Sequence, residues 1–91
     1  MQSYLRYLDI DDLIVLTALI DDIPFNQIAK TLGVTPPALS HRLRKYEKHV
    51  PNFQIKPTQR GQKVYYDSLS EDTKQFCIKA KMALETLKDA A

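Results

Sequence analysis

The apolar positions of this chain follow more than one period, and each period predicts a different element. Ile10, Leu13, Ile14, Thr17 and Ile20 recur at the spacing of one helical face, and Leu16 and Leu19 widen the stripe. A helix over 10–20 follows, with Asp9 as its N-cap and Asp11 and Asp12 in the first turn, where carboxylates suit the helix dipole. Asp21, Asp22 and Pro24 end it. Asn26 is the expected cap of a short second helix whose apolar face is Ile28, Ala29 and Leu32. Gly33 takes the left-handed position after it, and Phe25 staples its entry. Thr35 then precedes Pro36 and Pro37. Two prolines are tolerated in a first helical turn, whose N–H groups have no partner within the helix, so a third helix starts at Pro36. It runs to about Lys48 with Ala38, Leu39, Leu43 and Tyr46 facing the core, and Pro51 prevents its continuation.

Between 52 and 66 the period shortens to two. Phe53 and Ile55 alternate with Gln54 and Lys56, which predicts a half-buried strand. Pro57 to Gly61 is turn chemistry, and Gln62 to Tyr66 predicts a second strand, so the segment reads as a β-hairpin. From Ser70 a long helix follows, with Glu71 and Asp72 in its first turn. Phe76, Ala80, Ala83, Leu87 and Ala90 repeat at 4-3-4-3, a coiled-coil seam whose simplest partner is a second copy of the chain.

Composition narrows the classes. The chain has 91 residues, enough for one domain, and 44% of them are hydrophobic, so it is neither disordered nor low in complexity. A domain of this size buries only about 60–65% of its unfolded surface, which favours a stabilising partner. The single cysteine, Cys77, excludes an internal disulfide framework and a multi-cysteine zinc site, and is expected to be small and buried or interfacial. Two histidines, no glycine-rich phosphate loop and no metal-ligand spacing argue against an enzyme, a metal or a cofactor. Leu13 to Ile20 is the longest apolar stretch, far short of the about 20 residues that span a bilayer, and no signal peptide is apparent. The expected location is the cytoplasm.

Net charge is +2, but its distribution is uneven. Residues 1–25 set Arg6 against five aspartates. Residues 26–65 set Lys30, Arg42, Arg44, Lys45, Lys48, Lys56, Arg60 and Lys63 against Glu47 alone. Residues 66–91 set four lysines against five acids. A basic block between acidic flanks either attracts a polyanion or is simply a solvated face. The block coincides with the third helix and the hairpin. Two short helices joined through Leu32-Gly33-Val34-Thr35 and followed by a hairpin predict a winged helix-turn-helix: a mainly α fold with a three-helix core plus wing, then a long linker helix. Residues 1–69 would form the DNA-binding domain and 70–91 the dimerisation helix, with helix 36–48 in the major groove.

From Leu8 to Glu47 the chain resembles, without a gap, the start of LysR-type transcriptional regulators. The likeness rests on Phe25, Ile28-Ala29, Leu32-Gly33-Val34-Thr35 and Pro37-Ala38-Leu39-Ser40, followed by Arg42-Leu43 and Glu47. Leu69-Ser70-Glu71 resembles the family's Leu-Thr-Glu at the start of its dimerising helix, with Ala80 and Leu84 at matching offsets. There are departures. Pro36 stands where the family has Gln, a side chain that can read adenine with two hydrogen bonds. His41 stands where Arg is usual. The hairpin segment is longer, and its Leu-Phe-x-Arg element is reduced to Phe53-Gln54-Ile55-Lys56. The residues before Leu8, with Tyr4, Leu5 and Tyr7, are extra. The family's effector-binding domain is absent from these 91 residues, as in an excised fragment or a protein reduced to its DNA-binding end.

The resemblance implies a homodimer on a pseudo-palindromic operator in double-stranded DNA, with no small-molecule effector site in this chain. Thr35, Pro36, Pro37, Ser40 and His41 would lie near the bases. Asn26, Gln27, Arg42, Arg44 and Lys45 would meet phosphates, or remain solvated. Lys56, Arg60 and Lys63 on the wing, with Gly61 at its tip, would reach the flanking groove or backbone. Phe76, Ala80, Ala83, Leu84 and Leu87 would form the dimer interface. His49 reads as a helix-end histidine, and of Tyr65 and Tyr66 one faces in and one out. The alternative is a protein-interaction module that pairs through the last helix with a related regulator and binds little specific DNA.

Overall fold

The computed structural model of the chain describes residues 8–66 and 69–90; the extra residues Tyr4, Leu5 and Tyr7 lie outside the described residues. It is mainly helical with one small antiparallel hairpin: α1 Ile10–Ile20, α2 Phe25–Leu32, α3 Pro36–His49, β1 Thr58–Arg60, β2 Lys63–Tyr65 and α4 Glu71–Ala90. None of the helices among the described residues is long and apolar enough to cross a membrane.

The ends of α1 and α3 follow local chemistry. The Asp12 N–H donates to Asp9 Oδ1 (2.9 Å) and the Asp9 N–H donates to Asp12 Oδ2 (2.8 Å), a capping box built from two aspartates. Gly33 closes α2 in the left-handed conformation at φ 70°, and the Val34 N–H donates back to the Ala29 carbonyl (3.0 Å). Thr35 Oγ1 accepts from the Ala38 N–H at 3.3 Å, and the two prolines occupy the first turn of α3. This bond is long and exposed, so Thr35→Ala is expected to cost about 0.5 kcal/mol, at the low end for an N-cap. A urea melt of the variant checks it. The cap of α2 differs from expectation. Its N-cap is Pro24, with no side-chain bond, and Asn26 already lies inside the helix. The Pro24 carbonyl receives the Gln27 and Ile28 N–H groups, and the buried Phe25 anchors the start.

Four further differences are physical in origin. First, α1 buries Asp12, Val15, Leu16 and Leu19, whereas Ile10 is exposed and Leu13, Ile14, Thr17 and Ile20 are half-buried. The helix is apolar nearly all round, so periodicity leaves its phase open. Second, Ala38 is exposed; only Leu39, Leu43 and Tyr46 of α3 are buried. Third, Phe53 and Ile55 are buried without forming a strand. Thr73 Oγ1 on α4 accepts from the Gln54 N–H (2.7 Å) and donates to the Gln54 carbonyl (3.1 Å), so the backbone between the two apolar residues is satisfied by a side chain. The hairpin is shifted onto 58–65, with Gln59 opposite Val64 and Gly61 at φ 65° in the turn. Fourth, α4 buries Thr73, Cys77, Ala80 and Leu84, the face that packs on α1 of the same chain.

An aromatic chain ties α3 to α4. Tyr46 and Phe53 meet edge to face with centroids 5.7 Å apart, and Phe53 meets Phe76 in the same way at 5.9 Å. Phe25 and Tyr66 at 5.3 Å seat the end of the hairpin on α2. Cys77 is wholly buried, and burial pushes its thiol up to about 12, so it stays a thiol at neutral pH.

Candidate nucleic-acid interface

The tight turn at Gly33 leaves the start of α3 open to solvent. Thr35, Pro36 and Pro37 are exposed, and the helix then repeats at 4, 3 and 4 residues through His41, Arg44 and Lys48, all exposed. This stripe lies opposite Leu39, Leu43 and Tyr46, which the core holds. Ser40 flanks it and is half-buried. A groove between α2 and the hairpin is lined by Pro24, Asn26, Gln27, Lys30, Thr31 and Lys63. Asn26, Gln27 and Lys63 are thus brought together although 36 residues separate the last two. Lys30 joins them, and Lys48 joins the stripe. Their position within the basic block was the signal that names both; neither was among the expected contacts.

Two of the expected phosphate ligands are turned elsewhere. Asp12 on α1 has no exposed surface, and α3 surrounds its carboxylate. Arg42 Nη1 donates to Asp12 Oδ1 at 2.6 Å, Tyr46 Oη donates to the same oxygen, and Lys45 Nζ lies 3.5 Å from Oδ2. Arg42 also reaches Asp9 Oδ1 at 3.4 Å. Burial alone would raise the Asp12 pKa. Hydrogen bonds from Tyr46, the Asp9 backbone and Arg42, with the charge of Lys45, outweigh it and hold the group below the ordinary carboxylate range. Burial, and then the bond to Asp12, push the Tyr46 phenol far above its ordinary value. In the sequence Asp12 is legible only as a first-turn carboxylate. Its partners on α3 lie 30 to 34 residues away, and no local pattern names them.

Arg60 is also engaged. Its Nη2 donates to Asp22 Oδ1 at 2.5 Å, and its guanidinium lies 3.7 Å over the Tyr65 ring. Asp22 sits in the α1–α2 turn at φ 60°, a conformation aspartate tolerates. The neighbouring Asp21 accepts from Lys81 of α4 at 2.7 Å. That turn therefore holds both the hairpin and the long helix. Lys56 and Lys63 are exposed. Of the two half-buried tyrosines, Tyr66 faces in, packed on Phe25 and the core, and Tyr65 faces out, under the exposed Arg60.

The five positions expected to face a second copy are divided. Ala80 and Leu84 are buried within the chain, and Phe76 is half-buried against Phe53. Ala83 and Leu87 are exposed. Leu87, Ile10 and Ile14 line a shallow apolar groove between α1 and α4. Among the described residues, no three His, Cys, Asp or Glu side chains group as metal ligands. Compared with family models, characterised proteins and solved structures, the chain finds no match.

Proposed function

We infer that the chain is a winged helix-turn-helix DNA-binding domain of the LysR type, acting as a homodimer. Helix α3 enters the major groove, and the hairpin lies on the flanking groove or backbone. One observation carries this reading: the exposed stripe of Pro37, His41, Arg44 and Lys48 begins at the open, threonine-capped end of α3. Lys30, Lys56 and Lys63 add exposed positive charge from α2 and the hairpin segment. His41 offers a donor and an acceptor to base edges, and Pro36 offers only apolar contact, suited to a thymine methyl. Dimerisation uses the exposed edge of α4 at Ala83 and Leu87.

The test is fluorescence anisotropy of the chain on a selected and on a randomised duplex across a salt series. If Lys30, Arg44, Lys48, Lys56 and Lys63 each neutralise a phosphate, log K falls with log salt at a slope of about −4 to −5 per chain. The selected duplex is expected to bind about a thousandfold more tightly than the random one. A slope near zero would remove the proposal. It would favour a second reading, a protein-interaction module pairing with a related regulator, which the exposed Ile10, Met82 and Leu87 support.

A further inference from the structure

Asp12 is the one carboxylate without exposed surface among the described residues, and α1 itself carries no cation to meet it. It faces three successive members of one face of α3: Arg42, Lys45 and Tyr46. Two of these are strong cations beside the stripe of exposed α3 side chains. In the open they would bind any phosphate regardless of sequence, because contacts to the DNA backbone carry no base information. Helices α1 and α3 meet through their side chains: Val15, Leu16 and Leu19 share the core with Leu39, Leu43 and Tyr46, and Asp12 meets Arg42 and Lys45 at the edge of that core. The Arg42 side chain retains 23% exposure and that of Lys45 30%, so both stand at the surface, yet both turn to the carboxylate.

We propose that Asp12 is a selectivity-determining positioning residue: it withholds Arg42 and Lys45 from the phosphates, while Leu39, Leu43 and Tyr46 in the core hold α3 in the rotation that presents His41 and Arg44. This rests on the reading of the chain as a DNA-binding domain. The consequence is a partition of the basic block. Arg44 and Lys48 supply contact with the polyanion, while Arg42 and Lys45 are neutralised in place. Affinity for random sequence is thereby kept low, and base contacts make up a larger share of the difference between duplexes.

The experiment compares wild type with Asp12→Asn, Lys45→Gln and Arg44→Gln by anisotropy on both duplexes across the salt series, with circular dichroism melts of each. Asn keeps the size of Asp and removes the carboxylate charge nearest Arg42 and Lys45, leaving only the longer 3.4 Å contact of Arg42 with the exposed Asp9. Asp12→Asn is expected to bind the random duplex about tenfold more tightly per freed cation near 0.1 M salt. Its slope steepens by about 0.9 to 1.8, and the ratio of selected to random affinity falls. Lys45→Gln needs no unpaired buried group and folds whether or not the Asn variant does. Its slope is expected to match wild type, whereas Arg44→Gln is expected to be shallower by about 0.9. A purely structural Asp12 lowers the melting temperature and leaves slope and ratio unchanged, and that result overturns the proposal. So does a Lys45→Gln slope as shallow as that of Arg44→Gln. A wild-type slope near zero removes the DNA-binding reading itself, an outcome distinct from both.

Discussion

Arg42→Ala is expected to lower the unfolding free energy by about 3 kcal/mol at neutral pH, the low end for removing one partner of a buried ion pair. The carboxylate of Asp12 is wholly buried, and Arg42 is its closest cation at 2.6 Å. Without it, the desolvation cost of the carboxylate stands against the Tyr46 hydroxyl, the Asp9 N–H and Lys45 alone. These remaining partners keep the loss at the low end of the range. The sign with pH follows from the depressed pKa of Asp12 in the native state. A depressed carboxylate contributes stability that is present above its unfolded pKa, near 3.8, and is lost as pH falls through the lower folded value. In the variant one of the contacts that lower the Asp12 pKa is gone, so its folded pKa lies above that of wild type. The deficit relative to wild type is then largest at neutral pH and shrinks as the medium is acidified towards pH 4. Urea denaturation of both proteins at neutral and mildly acidic pH measures this. A deficit independent of pH would mean that lost packing of the arginine stem, and not the pair, sets the cost.

Thr73→Val is expected to cost about 2 kcal/mol, from two backbone groups left without their partner at about 1 kcal/mol each. Valine keeps the volume and branching of threonine, so the packing against α1 changes little. What disappears is the hydroxyl that accepts from the Gln54 N–H and donates to the Gln54 carbonyl. Ser70 Oγ, which accepts from the Thr73 N–H at 3.2 Å and lies 2.8 Å from the hydroxyl, loses a neighbour as well. Both groups are only part-buried, which sets the estimate at the lower end of the cost of an unsatisfied group. Amide exchange reports it locally: the Gln54 N–H loses protection, while the amides of α2 keep theirs. A variant as stable as wild type would show that water replaces the hydroxyl at no cost.

These two side chains also mark where local sequence stops being sufficient. The alternation of Phe53 and Ile55 with Gln54 and Lys56 correctly indicated which residues face the core. It indicated a strand because alternation describes burial on one side of an extended chain and says nothing about who bonds the backbone. Here that partner is Thr73, 19 residues later. The hairpin itself was legible from its turn residues and aromatic content, though displaced by a few positions. The seam on α4 was legible as an apolar stripe, but α1 takes Ala80 and Leu84 for the chain's own core and leaves Ala83 and Leu87 outside. In the candidate site, the exposure of Pro36, Pro37, His41 and Arg44 follows from the helix start at Thr35 and the apolar spacing of Leu39 and Leu43. Arg42 and Arg44, alike in sequence, differ because one of them lies over a buried carboxylate on another helix.

By itself the sequence determined the number and order of the helices and most of their ends. Asp9 with Asp12, Gly33, and Thr35 with Pro36 and Pro37 act on backbone groups within a few residues, so their effect is settled before the chain collapses. Tertiary structure alone decided which face of the nearly all-apolar α1 is buried, which cations of the basic block face solvent, and where the backbone of residue 54 finds its partners. Those choices depend on groups 19 to 34 residues apart, and only the packed core brings such groups within hydrogen-bond reach.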